Sequence, residues 1–259
     1  MTAGPGPPAP ALPPPFRLVA EDRIDSTNAA ARRMAGAGAP HGTVVWALEQ
    51  TGGRGRRGRG WTSPRGNLYA SVLLRPGADL RAAGQLGFAA ALALAEALES
   101  VLPAARAVAL KWPNDVLVRE HKAAGILLES VADTAGRPAG VILGMGLNIA
   151  EAPGETAFPA TSLVAEGAPA ALVPGDMLAE VMPRLGAYLD VWERDGFAPL
   201  REAWLRRALG VGGPVTVRLP DRTLAGTFLD LDPDGALVLR RDSGMEQRIH
   251  VGDVFFGGR

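Results

Sequence analysis

The chain has 259 residues, 27 basic and 27 acidic side chains, 47% hydrophobic and 21% charged residues, which places it among soluble globular proteins and makes any basic patch a local feature. It has no cysteine, which excludes disulfides, thiol catalysis and cysteine-ligated zinc and agrees with a cytoplasmic setting. His41, His121 and His250 are widely separated, with no H-x-x-x-H pair; each reads as an ordinary surface or partly packed residue rather than a metal ligand.

Residues 1–15 are dominated by Pro, Gly and Ala, a composition that cannot bury enough surface to offset ordering entropy, so a flexible tail is expected. The N-terminus lacks the charged-then-apolar order of a secretory signal. A first strand is predicted at 17–20. Asp25-Ser26-Thr27-Asn28 then precedes an Ala-rich helical stretch and supplies N-cap candidates. Amides and hydroxyls at a helix start also suit a small polar ligand group.

Strands are predicted at 42–48 and 67–74, and between them lies Gly52-Gly53-Arg54-Gly55-Arg56-Arg57-Gly58-Arg59-Gly60, closed by Trp61. Five glycines loosen this backbone and four arginines load it with fixed charge, so it reads as a loop made to close over an anion. Gly53 to Gly58 matches G-x-G-x-x-G, but a dinucleotide fingerprint turns directly into a helix, and here a strand follows. Nucleic-acid-binding tracts of this kind are usually longer and sit in basic chains. A merely solvated turn is disfavoured because its like charges repel unless something negative neutralises them.

A long helix is predicted at 79–102, ended by Pro103. Its segment 89–98 is too short for a membrane span and is interrupted by Glu96. A strand at 107–110 delivers Lys111-Trp112-Pro113-Asn114-Asp115, with Trp112 extended ahead of the proline. Strands at 116–118 and 122–129 follow, then one at 139–143 leading into Gly144-Met145-Gly146-Leu147-Asn148-Ile149, where two glycines permit close backbone approach. A loop is expected at 153–159, and Thr161-Ser162-Leu163 leads towards a short helix. Pro174–Asp195 carries Met177, Leu178, Val181, Leu185 and Leu189 near a 3.6-residue period despite Pro183, and a further helix is predicted at 197–209. Beyond Val211 come five short strands, 214–219, 223–230, 236–240, 247–251 and 254–256, with tight turns between them. They predict a small barrel and a domain boundary near Leu209.

Taken in order, Asp25-Ser26-Thr27-Asn28, Glu49-Gln50-Thr51 running into the arginine loop, Lys111-Trp112-Pro113-Asn114-Asp115, Lys122-Ala123-Ala124-Gly125 and Gly144-Met145-Gly146-Leu147-Asn148 resemble the biotin protein ligases. The resemblance runs from about Val19 to the C-terminus. It implies an α+β fold: a class II synthetase-like biotin/lipoate ligase domain at 16–209, a mixed β-sheet with helices packed to one side, followed by an SH3-like β-barrel at 210–259. Bifunctional members carry a winged-helix DNA-binding domain, for which residues 1–15 are too short, so a ligase without repressor function and without DNA binding is expected. Two departures, Gly52 for Ala and Lys122-Ala-Ala-Gly for Lys-Leu-Ala-Gly, remove no charged or hydrogen-bonding group.

The implied reaction activates biotin with ATP as biotinyl-5'-AMP, aided by Mg²⁺, and passes it to a lysine of a biotin carboxyl carrier domain. No enzyme nucleophile is required; relief of repulsion between a carboxylate and a polyphosphate is. By resemblance, Ser26, Thr27, Asn28, Gln50, Arg54, Gly55, Arg56, Lys122 and Gly125 form the biotin site. Lys122, Arg54 and Lys111 are the catalytic cations, and Arg57, Trp61, Lys111, Asn114 and Asn148 serve the nucleotide. Asp115 is the candidate Mg²⁺ ligand or, with more weight, a brace for the neighbouring lysine. The alternatives are a lipoate or octanoate ligase and, in another class, a nucleic-acid-binding module using the arginine loop.

Overall fold

In the computed structural model, which describes residues 9–76, 80–104, 107–132, 138–154, 156 and 158–256, the alternating apolar runs of the N-terminal two thirds assemble one sheet. Its elements in chain order are β1 (Arg17–Ile24), α1 (Thr27–Gly36), β2 (Thr43–Gln50), β3 (Leu68–Leu74), α2 (Leu86–Val101), β4 (Val108–Lys111), β5 (Asp115–Val118), β6 (His121–Ala132) and β7 (Pro138–Leu147). The strands lie in the order β1-β2-β3-β7-β6-β5-β4. Only β1 and β2 are parallel, because α1 supplies the crossover that a parallel pair needs.

Helices cover both faces of this sheet, not one. Successive strand residues point to opposite sides, so Val44, Trp46, Val72, Leu143 and Met145 join the core under α2, while Val45, Leu73 and Ile142 pack against Ala30, Ala31 and Ala35 of α1. Such two-sided burial is why β3 reads as an apolar run interrupted only by Ser71. Leu92, Leu94 and Leu98 of α2 are wholly buried, each contributing about 1.5–3 kcal/mol on transfer from water. In α3 (Pro174–Asp195), Met177, Leu178, Val181, Met182 and Leu185 are buried. Pro183 falls on the exposed side, where the carbonyl it leaves unbonded can reach water. Helix α4 (Ala198–Arg207) follows.

The expected helix start at residue 79 lies outside the described residues; Leu80–Gln85 is a 3-10 helix and α2 begins at Leu86. Buried Gln85 fixes that start, accepting from Trp192 Nε1 at 2.8 Å and donating to the Pro233 carbonyl at 3.1 Å. The Gly144–Leu147 stretch, expected beyond the strand, is its final part, in register with both β3 and β6. Residues 163–167 form turns rather than a helix. Within the stretch expected as a tail, residues 1–8 lie outside the described residues, and Leu12 packs partly buried against the core.

Strands β8 (Pro214–Arg218), β9 (Thr223–Leu231), β10 (Leu237–Arg240), β11 (Glu246–Ile249) and β12 (Asp253–Phe256) form a second, antiparallel sheet in the order β11-β10-β9-β8-β12. It shares its core with the larger sheet: Val215, Phe228, Leu237 and Val254 belong to the same apolar cluster as α2. Trp112 Nε1 donates to the Gly235 carbonyl at 3.1 Å, and Phe88 meets Phe197 edge-on with centroids 5.0 Å apart. A side chain at Gly235, whose φ is 86°, would strike Phe88 at 2.7 Å. The Pro-Asp-Gly turn is therefore a docking point as well as a hairpin, and β12 is held over the edge of the larger sheet.

Candidate active site

On the α1 face of the sheet, three cross-strand neighbours clear a floor. Register places Tyr69, Gly146 and Gly125 in one row and Ser71, Gly144 and Leu127 in the next. A Cβ at Gly146 would lie 2.6 Å from the Trp61 indole, one at Gly125 2.9 Å from it, and one at Gly144 2.2 Å from Asn28 Oδ1. The glycines thus seat an indole and an amide directly on the backbone. Above them opens a cavity of about 360 Å³.

One end of the cavity is polar and neutral. Ser26 caps α1, its Oγ accepting from Ala29 N at 3.5 Å. The first helical amide, Thr27 N, donates to Gln50 Oε1 at 2.8 Å, and Gln50 Nε2 donates to Ser63 Oγ at 3.0 Å. Ser71 Oγ lies 2.8 Å from Thr27 Oγ1 and 2.6 Å from Asn28 Oδ1. Because Asn28 Nδ2 donates to Glu129 Oε2 at 2.8 Å, the amide orientation is fixed, and its oxygen accepts from Ser71. The helix start is therefore also cavity lining: the N-cap Ser26 and the first helical residue Thr27 both face the cavity.

Beside this end, Asp25 makes a bidentate pair with Arg33 at 2.8 and 2.9 Å. That hydrogen bond, helped by the Ser26 amide, holds the Asp25 carboxyl down at about 2. With a folded value below the unfolded ~3.9, its stabilisation is complete above about pH 4 and is lost as pH falls towards 2. An NMR titration should place the Asp25 carboxyl midpoint near 2, and Asp25→Asn should remove the corresponding acid-side loss of stability; a midpoint near 4 would show the pair is not formed in solution.

The other end is cationic. Asp115 stands between two ammonium groups, Oδ1 at 2.6 Å from Lys122 Nζ and Oδ2 at 3.5 Å from Lys111 Nζ. Its Oδ1 receives no aligned hydrogen bond, so the short contact is an ion pair first. Lys111 is enclosed, 4.1 Å from the Phe158 ring centre and 5.9 Å from that of Phe255. Burial lowers its ammonium below the ordinary lysine value, against the pull of Asp115. Lys122 is freer, with 24% of its side chain exposed, and lies 5.2 Å from the Trp61 ring.

The arginine loop closes over the cavity as a small hairpin. Arg54 bridges Gly60, Gly55 N donates to Arg59 O at 2.7 Å, and Trp61 N donates to Gly53 O at 2.9 Å. Arg54, Gly55, Arg56 and Trp61 line the cavity with Ser26, Thr27, Asn28, Gln50, Lys111, Asn114, Asp115, Lys122, Gly125 and Asn148. Arg57 alone among the expected site residues does not; it turns to Asp253 at 3.2 Å. The amide of Asn148 is committed to the carbonyls of Thr161 at 3.1 Å and Lys122 at 3.4 Å, so it holds the backbone that carries Lys122. Asn114 likewise donates to Ile126 O at 2.7 Å and accepts from Arg56 at 3.0 Å.

Ser71, Glu129, Asp253 and Phe255 belong to none of the sequence motifs. Ser71 was detectable as a polar residue inside an otherwise apolar strand; the other three gain meaning only when strands distant in sequence meet.

The matching family profiles define the class first. The biotin/lipoate A/B protein ligase family profile matches residues 20–148, and the biotin protein ligase C terminal domain profile matches residues 211–257. The chain is 44% identical to a biotin–[acetyl-CoA-carboxylase] ligase of Paracoccus denitrificans, over 91% of this chain and 99% of that one. It is 33% identical to the bifunctional ligase/repressor BirA of Escherichia coli, over 85% of this chain and 68% of that one. The biotin protein ligase of Aquifex aeolicus in complex with biotin and ATP superposes with a TM-score of 0.76 at 28% identity, covering 92% of this chain and 97% of that one. That of Leishmania major in complex with biotinyl-5-AMP gives 0.62 at 29% identity, covering 92% and 100%. The chain belongs to the biotin protein ligase family.

Proposed function

We propose that this chain is an ATP-dependent biotin ligase that makes biotinyl-5'-AMP and transfers the biotinyl group to a lysine of a biotin carboxyl carrier domain. One observation carries the reading: a single cavity joins a neutral hydrogen-bonding end (Ser26, Thr27, Asn28, Gln50) to a cationic end (Lys122, Lys111, Arg54, Arg56, Arg59) along a wall of Trp61, Leu127 and glycine backbone. A cyclic urea has donors and acceptors for the first, an aliphatic chain suits the wall, and a carboxylate belongs with phosphates at the second. The dithiolane of lipoate has neither the N–H donors nor the carbonyl acceptor that would engage this end.

In the first step a carboxylate oxygen of biotin attacks the α-phosphorus of ATP and the bond to the bridging oxygen of pyrophosphate breaks. Lys122 and Arg54 offset the charge gathered where carboxylate and α-phosphate meet, and Lys111 extends that field from its enclosed position. In the second, the acceptor amine attacks the carbonyl carbon of the mixed anhydride, AMP leaves, and the amine gives up a proton. We assign Asp115 to bracing the two lysines: a carboxylate already shared by two ammonium groups is a poor ligand for a dication. Among the described residues no three His, Asp or Glu side chains gather into a metal cluster; on this reading Mg²⁺ enters with the nucleotide.

On this reading residues 16–209 form the catalytic domain and 210–259 the C-terminal one, the setting is cytoplasmic, and no DNA partner is assigned. No helix among the described residues is long and apolar enough to cross a membrane. Isotope exchange between pyrophosphate and ATP tests the proposal. Biotin should stimulate it strongly and lipoate should not; stimulation by lipoate, or salt-sensitive nucleic-acid binding without exchange, would overturn it.

A further inference from the structure

The arginine loop is fastened from the C-terminal sheet. Asp253, the first residue of β12, takes a short hydrogen bond from Arg59 and lies 3.2 Å from Arg57 and 3.8 Å from Arg56. Both terminal nitrogens of Arg56 also donate to the Gly252 carbonyl at 3.4 Å. Among the described residues, the hydrogen bonds that leave the loop between Arg54 and Gly60 end on Asn114, Gly252 and Asp253. The Asp253 side chain is only 17% exposed, so solvent screens these contacts less than it would on an open surface.

Two further facts give the contact direction. Arg57 has φ 56° and Gly58 φ 73°, a left-handed pair that costs free energy at the arginine and persists where surrounding contacts determine it. The anchor is itself rigid: a Cβ on Gly252 would lie 2.8 Å from Val217, and Val254 is fully buried. A cationic loop is thus held by a carboxylate at the rim of the cavity.

We propose that Asp253 is a positioning residue, the counterion by which the C-terminal sheet latches the arginine loop closed and keeps Arg56, Arg57 and Arg59 gathered at the cationic end of the cavity. Three guanidinium groups on one carboxylate remain net positive, so the cluster can still accept the greater negative charge of a polyphosphate. Its consequence for nucleotide binding rests on the ligase reading; the latch itself does not.

The test uses the full chain with Asp253→Asn and Asp253→Glu. Without ligand, trypsin cleavage after Arg54, Arg56, Arg57 and Arg59 should be about fivefold faster in Asp253→Asn and within about twofold of the parent in Asp253→Glu, a range set by losing a partly buried ion-pair network. Unchanged loop cleavage overturns the latch, and so does an equal acceleration at arginines throughout the chain, which would mean general loosening. In pyrophosphate exchange, Asp253→Asn should raise the KM for ATP by a similar factor with kcat within about twofold; an unmoved KM overturns the positioning role. A parent protein showing no biotin-stimulated exchange would overturn the ligase reading, while loop cleavage would still decide the latch.

Discussion

Lys122→Ala is expected to lower biotin-dependent pyrophosphate exchange by roughly 10²- to 10³-fold, the loss usual for removing a preorganised group that stabilises developing charge, while leaving the protein folded. The geometry separates the two effects. Asp115 loses its 2.6 Å partner but keeps Lys111 at 3.5 Å, and the vacated side chain was partly exposed, so water can replace it. The cost to folding should be about 1 kcal/mol, well below that of stranding a fully buried charge. Lys111→Ala would be a poorer probe, because Lys111 is enclosed between Asp115 and Phe158 and its loss would mix activity with stability. Exchange in a folded Lys122→Ala protein close to that of the parent would remove Lys122 from the chemistry.

Much of this site is legible in the amino-acid sequence, for a definable reason. Gln50 and Lys111 each end a strand and Lys122 is the second residue of one, where local propensity fixes position and residue type announces chemistry. That Ser26, the helix cap, and Thr27, the first helical residue, line the cavity follows from the same logic, since a helix start presents free amides. What is not legible is lateral. That Gly125 and Gly146 are neighbours, or Ser71 and Gly144, depends on the pairing of β3, β6 and β7, and pairing across long sequence separations leaves little local trace. The two-sided sheet is hidden for a related reason: a strand buried on both faces looks alike whichever helix covers it. Arg57 shows the opposite limit, because the tripeptide around it reads as cationic and loop-forming, as it is, but its partner lies 196 residues away.

Gly144→Ala should raise the KM for biotin by about 30-fold or more. In a strand interior alanine is ordinarily preferred to glycine by roughly 0.5–1 kcal/mol, so the substitution would be stabilising if space allowed. It does not: the new Cβ would lie 2.2 Å from Asn28 Oδ1 and 2.9 Å from its Cγ. Neither side can yield easily. Gly144 is paired on both sides, with Ser71 and Leu127, and Asn28 is held by Glu129 at 2.8 Å and Ser71 at 2.6 Å. Asn28 must therefore turn out of the network, costing about 1–3 kcal/mol in packing and unmet hydrogen bonds. At Gly146 the obstructing group is the indole of a loop residue, which can lift, so Gly146→Ala should disturb loop closure more than stability. A double-mutant cycle isolates the cause. Adding Asn28→Ala to Gly144→Ala should recover most of the lost thermal stability, because the clash disappears, without recovering biotin affinity. Additive stability losses would mean the strain lies elsewhere, and an unaltered KM in a folded Gly144→Ala protein would place the head of biotin away from Asn28.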